Sequence, residues 1–381
     1  MKPSFTIPFN KPDVGAKELD YITQALYQPS IVGDGAWTHK CHAWLRAYTG
    51  ADTCFMTNSC TTALEMAALL LDLQPGDEVI MPSYTFVSTA NAFVLHNGTP
   101  VFVDICKDTK NSDPTRIEKA ITPRTKAIVV MHYGGVSCDM EAINAMAKTH
   151  GLYVVEDAAQ GVGAYYKGRP QGALGDLGTL SFHGTKNIVS GEGGALIVNN
   201  PLFAERARII REKGTDRAKF LRGEVDKYTW VDVGSSYLPS EITAAFLLAQ
   251  LERLEEITHA RLEVWNAYHA GLAELETQGL LTRHFVDAHS RVNGHIYYIM
   301  LPTEQQRTEM LAFLKARGIH AMAHYVPLHA SPGGQKYGRT YGSMEHTHWF
   351  DTHMLRLPLW SGLTRQQVDY VIENCQAFFK G

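Results

Sequence analysis

The stretch from Asp52 to Gln160 predicts an α/β fold built on a largely parallel central sheet. Three observations carry that expectation. Short apolar runs alternate with helix-length amphipathic stretches. Several of the runs are continuous and β-rich, as strands covered on both faces should be. Turn-forming residues separate the two kinds of segment. Ligands of such a sheet collect at the carboxyl ends of the strands, so the residues that close each apolar run are where chemistry is to be sought.

In chain order, "TCFMT" reads as a strand and "TTALEMAALLLDL" as a helix stopped by the turn signal "QPGD". "EVIMP" is the next strand and "TFVSTANAFVLHNG" the next helix, closed by Gly98. "PVFVDI", "AIVVMHY" and "LYVVED" are further strands, with "DMEAINAMAKTHG" a helix between the last two that stops at Gly151. "LGTLSFH" and "GEGGALIVNN" add two strands. A long helical pattern, "YLPSEITAAFLLAQLERLEEITHARLEVWNAYHAGLAELE", then leads toward a smaller unit. "HIYYIML", a helix near "EQQRTEMLAFLKARG", and "IHAMAHYVPLH" suit an α+β domain there. The expected division is residues 1–250 as a large α/β domain and 251–381 as a small C-terminal α+β domain.

A chain of 381 residues can bury a large core, and 45% hydrophobic with 19% charged residues is the balance of a globular protein. The net charge of −4, with no basic run, argues against nucleic acid or an anionic membrane as partner. The opening "MKPSFTIPFNKPDVG" has no apolar signal region and no run reaches a membrane span, so a cytoplasmic enzyme is expected. The six cysteines are scattered without C-x-x-C or zinc spacing, as in reduced thiols. "HTHWFDTH", the densest histidine group, has no H-E-x-x-H and no cysteine partner, so no metal is expected.

Four polar clusters close the predicted strands. "TNSCTTAL" (57–64) lies between a strand and a helix; its hydroxyls could simply cap the helix, but a helix N-terminus is also a phosphate site. "VVEDAAQ" puts Asp157 directly after an apolar strand, where a carboxylate is costly unless capped or met by a cation. "SFHGTKNIVSGEGG" isolates Lys186 among small and hydroxylated residues, either as an ordinary loop lysine or as a working amine. "PSYTFVST" offers Phe86, a core aromatic or a flat lid over a ring. Pyridoxal 5′-phosphate uses a phosphate cradle, a strand-end carboxylate, a stacking aromatic and an isolated lysine together. No single element is specific; their order along the chain is.

At these residues the chain resembles the sugar aminotransferases of the DegT/DnrJ/EryC1/StrS group. The resemblance runs from "IPFNKPDVG" through "GDEVIMPSYTFVSTANA", "VVEDAAQ", "SFHGTKN", "GEGG" and "YLPSEITAAFLLAQL" to "YVPLH" and "LRLPL". It implies the aspartate-aminotransferase-like (type I) fold and pyridoxal phosphate. It makes Lys186 the lysine that condenses with the cofactor and later shuttles the proton, and Asp157 the partner of the pyridinium nitrogen. Gln160 would bond the ring hydroxyl, Phe86 would stack on the ring, and Cys60, Thr61 and Ser181 would hold the phosphate. The family usually has Gly-Thr where Cys60-Thr61 stands, and an asparagine from the neighbouring subunit where "GSSYL" has Ser236. A homodimer with shared active sites is therefore implied. His329 and Tyr325 in "YVPLH" would face the sugar, and Asp34 in "VGDGAWT" would belong to a substrate-entry loop, although a plain turn explains that composition equally well. His183 is either a structural hydrogen-bonder or a participant.

The implied reaction is amino transfer from L-glutamate to C4 of dTDP-4-keto-6-deoxyglucose, giving the axial amine of dTDP-4-amino-4,6-dideoxygalactose. Such a product feeds cell-surface polysaccharide of the enterobacterial common antigen or lipopolysaccharide kind. Amination of another nucleotide 4-keto or 3-keto sugar is the nearest alternative. A pyridoxal-dependent sugar dehydratase would carry histidine in place of Lys186, and a non-catalytic regulator would lose the lysine or add a DNA-binding domain. A nicotinamide enzyme would need G-x-G-x-x-G after the first strand.

Overall fold

A computed structural model describes residues 6–380. Eight strands form the main sheet in the order β1-β9-β8-β5-β4-β2-β3-β13. They are β1 (Thr53–Thr57), β2 (Glu78–Pro82), β3 (Thr99–Val103), β4 (Thr125–Met131), β5 (Tyr153–Asp157), β8 (Leu177–Ser181), β9 (Gly194–Val198) and β13 (Arg339–Thr340). Only β9 runs antiparallel to its neighbours; every other pairing in this sheet is parallel. β1, β2, β8 and β9 are buried along their whole length, which is why they read as unbroken apolar runs.

Helices cover both faces. α1 (Ala16–Leu26) and α2 (Ala36–Thr49) precede the sheet, and α3 (Cys60–Leu70), α4 (Val87–Val94), α5 (Pro114–Ala120) and α6 (Met140–His150) connect its strands. The expected strand–helix units are present at the expected places, and Gly151 ends α6 in the left-handed conformation (φ 65°) that glycine adopts without a Cβ clash. The long helical pattern after Tyr237 is broken into three helices, Glu241–Leu251, Leu254–Gly271 and Ala273–Thr277. None of the helices among the described residues is long and apolar enough to cross a membrane.

The C-terminal part carries an antiparallel sheet of β10 (Thr282–Arg283), β12 (Tyr297–Met300) and β14 (Met354–Leu357). Its core is an apolar cluster that includes Trp265, Tyr268, Leu314 and Val371. A third small sheet joins β6 (Tyr165–Tyr166) and β7 (Arg169–Pro170) to β11 (Ser290–Arg291). Many contacts cross the division expected at residue 250, the β6–β11 pairing among them, and two more are informative. Ile7 is fully buried in the C-terminal core, where it bridges Ile319. β13 pairs with β3, and Arg339 holds the buried carboxylate of Glu78 at 2.8 and 3.0 Å. These contacts tie the C-terminal part to the β3 edge of the main sheet.

Candidate active site

A cleft of about 440 Å³ opens at the carboxyl ends of β1, β2, β4, β5 and β8 and is closed by residues of the C-terminal part. Its floor is Asp157, the last residue of β5 and 4% exposed. The carboxylate accepts the Thr89 hydroxyl at 2.6 Å and the Ala159 N–H at 3.1 Å. An ionised carboxylate offers about four acceptor positions, so Asp157 keeps capacity for a donor from the cleft.

Lys186 lies in the turn between β8 and β9. That turn is pinned by Phe182 N–H to the Gly193 carbonyl, Gly184 N–H to the Gly191 carbonyl and Lys186 N–H to the His183 carbonyl, each 2.8 Å. The backbone is thereby fixed, while no hydrogen bond or ion pair engages the Lys186 amine among the described residues. Burial holds its ammonium below the ordinary lysine range, against the upward pull of Cys60 and Asp157. An amine so placed spends more of its time neutral than a surface lysine does.

The start of α3 forms the cradle. Ser59 caps the helix by accepting the Thr62 N–H at 3.1 Å, and its carbonyl takes the Ala63 N–H. The amides of Cys60 and Thr61 precede the first helical bond and stay open beside the cleft. The hydroxyls of Thr61 and Ser88, 2.8 Å apart, and that of Ser181 join them. Gly194 allows this approach: a Cβ there would stand 2.3 Å from the Ser59 carbonyl carbon and 2.4 Å from the Cys60 nitrogen. Two free amides and three hydroxyls at a helix N-terminus suit a phosphate dianion. Burial pushes the Cys60 thiol well up, so it remains a neutral thiol.

Phe86, 54% exposed, presents its ring to the cleft after β2, with the Tyr325 ring tilted beside it at 6.1 Å. Gln160 accepts the Gly134 N–H at 2.7 Å and donates to the Tyr325 hydroxyl at 2.8 Å. Cys60, Thr61, Phe86, Asp157, Gln160, Ser181, Lys186 and Tyr325 are thus brought to one cleft. A phosphate cradle, an aromatic face, a carboxylate with spare capacity and a free amine are together the donor set that pyridoxal phosphate requires.

Three expected residues stand outside the lining of this cleft. His329 is turned toward the body of the protein, its Nδ1 2.6 Å from the Ser83 hydroxyl and its Nε2 3.2 Å from His348. Asp34 is paired with Arg211 at 2.8 Å, and the N–H groups around it (Gly35, Trp37, Thr38) go to the Glu241 carboxylate, so the glycine-rich turn is accounted for structurally. Ser236 is exposed; its carbonyl accepts the Asn58 side-chain amide at 3.0 Å. His183 does line the cleft, with Nδ1 2.8 Å from the Thr185 hydroxyl. No group of three or more His, Cys, Asp or Glu able to hold a metal occurs among the described residues.

Sequence reasoning passed over Asn10, His295, His324 and Arg356, all of which line the cleft. A signal existed for the last: a lone arginine inside the apolar strand of "MLRLPL".

The sequence profile described as the DegT/DnrJ/EryC1/StrS aminotransferase family matches residues 12–376. The spore coat polysaccharide biosynthesis protein SpsC of Bacillus subtilis (strain 168) is 35% identical over 98% of this chain and 97% of its own length. The crystal structure of the aminotransferase TlmJ from Streptoalloteichus hindustanus is 30% identical, covers 99% of both chains and superposes with a TM-score of 0.91. Spr1654 from Streptococcus pneumoniae in its PLP form is 26% identical over 99% of both chains, with a TM-score of 0.90.

Proposed function

The chain belongs to the DegT/DnrJ/EryC1/StrS aminotransferase family, with the α/β fold and pyridoxal phosphate cofactor of those enzymes, and from this premise we propose the reaction it catalyses. It is a sugar aminotransferase that moves the amino group of L-glutamate to C4 of dTDP-4-keto-6-deoxyglucose, releasing 2-oxoglutarate and the axial 4-amine. The single observation that carries transamination is the uncommitted Lys186 amine beside the buried carboxylate of Asp157.

What the bound cofactor supplies is an aldehyde that takes up the donor's amino group and a protonated ring that draws electrons from the carbon losing its proton. The chain's own residues do the rest. Asp157 holds the positive charge on the ring nitrogen by offering it an ionised acceptor. The open amides of Cys60 and Thr61, with the hydroxyls of Thr61 and Ser181, orient the phosphate. Phe86 covers one face, and Gln160 positions the ring hydroxyl. In the donor half the Lys186 amine would take the proton from Cα, and in the sugar half it would deliver a proton to C4 from that same side. One face of C4 therefore receives hydrogen, and the orientation of the sugar fixes the stereochemistry. Tyr325, held by Gln160, is the residue of this chain's own cleft best placed to orient it.

The choice of sugar rests on the resemblance read from the sequence, to which "SCTTALEMAALLLD", "VDKYTWVDVGSSYL" and "HYVPLH" belong. A homodimer is supported by the segment before Ser236, where Tyr228 is 52% and Trp230 77% exposed, large apolar surfaces that a partner would cover. Ser236 would then reach the neighbouring subunit's phosphate across that interface. Enzyme, L-glutamate and the keto-sugar are to be incubated and the product followed by mass spectrometry and NMR. A small H3–H4 coupling is expected for the axial amine; a large diaxial coupling refutes the stereochemical assignment, and reaction only with another keto-sugar refutes the acceptor.

A further inference from the structure

Asn187, the residue after Lys186, is buried and uses both ends of its side-chain amide. Its Nδ2 donates to the Asn293 carbonyl at 2.9 Å, and its Oδ1 lies 2.9 Å from Nδ1 of His295. A carbonyl can only accept, so the first bond fixes which way round the amide stands. Oδ1 must then be an acceptor, and the proton of a neutral His295 ring sits on Nδ1. Nε2 is left as a bare lone pair.

That nitrogen is open to the cleft. His295 is 9% exposed and lines the cleft. Nε2 makes no hydrogen bond among the described residues, and unlike both ring nitrogens of His284 it is not shut away from solvent. Burial first, and then the ammonium of Lys186, hold the imidazole well below its ordinary range, so the ring stays neutral; Arg261, His324 and Arg356 act in the same direction. Lys186 is the strongest of the charges acting on the ring, as expected of two groups that share one stretch of the cleft wall.

The ring is also held in place. The His295 N–H donates to Oδ1 of Asn293 at 3.0 Å, and the His295 carbonyl accepts Nη2 of Arg261 at 2.8 Å. Nδ2 of Asn293 donates to the Gln160 and Val162 carbonyls, both at 2.8 Å. The turn ahead of β12 is thereby tied both to the segment after Asp157 and to the lysine turn. On the other flank of Lys186, Nδ2 of Asn10 donates to the Thr185 carbonyl at 3.1 Å. The lysine's neighbours are clamped on both sides, and only its side chain is left to swing.

We propose that His295 is a positioning residue for Lys186: its Nε2 accepts an N–H of the lysine amine and so aims the amine's lone pair, and later its proton, at the reacting carbon. An amine on a flexible four-carbon stem has many rotamers, and a fixed acceptor selects among them. Once the amine has taken a proton, the same nitrogen meets an ammonium N–H in a charge-assisted bond, which offsets part of the cost of a cation in a buried cleft. The inference rests on the reading of Lys186 as the proton carrier of an aminotransferase, and not on which sugar is aminated. A hydroxyl of the sugar is the competing donor for Nε2, and it enters only one half of the reaction.

Two variants separate the two ring nitrogens. His295→Asn keeps a donor near the place of Nδ1 and loses the acceptor; His295→Gln keeps an acceptor near the place of Nε2 and loses the bond to Asn187. NMR of the apo-protein with isotope-labelled histidine should show the His295 proton on Nδ1, the signal being identified by its absence from His295→Asn. A proton on Nε2 overturns the proposal, whatever the variants do. In holoenzyme, conversion of the bound cofactor by L-glutamate without sugar is followed by absorbance, with and without deuterium at Cα. His295→Asn should slow this step by about 100-fold, with KM for glutamate little changed and a larger deuterium effect, and should slow the sugar half alike. His295→Gln should recover much of both rates. Equal losses in the two variants, a loss confined to the sugar half, or a loss carried by KM alone overturns the proposal. Wild-type enzyme that accepts nitrogen from glutamate but does not aminate the dTDP-sugar refutes the acceptor proposed above, while the glutamate half still decides the role of His295.

Discussion

Replacing Gly194 by alanine tests the cradle without touching a group that contacts a ligand through its side chain. Gly194 sits opposite Thr57 of β1 and Ser181 of β8 in the sheet register, so its Cα is fixed by pairing on both sides. The added methyl would meet the Ser59–Cys60 peptide at 2.3–2.4 Å, where ordinary contact begins at 3.4 Å. Either β9 or the start of α3 must yield by about 1 Å, and strain of this kind costs about 1–3 kcal/mol. If that strain is relieved by moving the Cys60 and Thr61 amides, phosphate affinity carries the cost. Pyridoxal phosphate should then bind the apo-protein about 5- to 150-fold more weakly. Pyridoxal, which has no phosphate, should bind as it does to the wild-type chain. Titration of folded apo-protein by absorbance, with circular dichroism as the check on folding, measures both. Equal losses for the two ligands would show general damage, and an unchanged pyridoxal phosphate affinity would show that the α3 amides are not the phosphate site.

Lys186→Ala should abolish turnover, and peptide mapping after borohydride reduction of the wild-type holoenzyme should place the pyridoxyl group on Lys186; a label on another lysine removes its assignment. Asp157→Asn keeps the shape but not the charge, so turnover should fall by orders of magnitude with the melting temperature little changed, and near-normal activity would put the ring-nitrogen partner elsewhere. Glu78 is held down to about 2 by Arg339 first, with Thr122 and Arg124 adding to it. Its folded value lies below the unfolded value of 4.5, so the stability it contributes is complete above pH 4.5 and is lost as pH falls toward 2. Glu78→Gln should therefore lower stability near neutrality by about 1–3 kcal/mol and flatten the acid limb of a denaturation series; an unchanged acid limb would mean the clamp is not felt. Mixing Lys186→Ala subunits with subunits carrying a disruptive substitution at Ser236 should restore activity through one intact site per heterodimer, and no recovery would count against shared sites.

The sequence by itself determined the sheet and most of its chemistry, because both are written locally. A strand buried on both faces must be apolar throughout, so "EVIMP" and "LYVVED" are legible as they stand. A polar residue that ends such a run projects at the ligand edge of the sheet, so Asp157, Ser181 and the Cys60–Thr61 turn could be chosen before any coordinates. The order of these clusters along the chain pointed to pyridoxal phosphate, and the resemblance to a known family then gave each residue its part. Helices α1 and α2 were not read. The N-terminus of α2 is satisfied by the carboxylate of Glu241, far along the chain, and its N-cap Gly35 supplies no side-chain cap of its own. Which residues face the cleft was likewise a tertiary decision. His329 and Tyr325 stand four residues apart in "YVPLH", yet one turns to Ser83 and the other to Gln160, because residues 323–327 are irregular and run into a short 3₁₀ turn at Leu328–Ala330, so no regular period relates the two. Arg356 depends most on the assembled fold. An arginine in an apolar strand is a weak signal in a sequence, and only folding shows it buried at the cleft with its guanidinium on the Ala323 carbonyl.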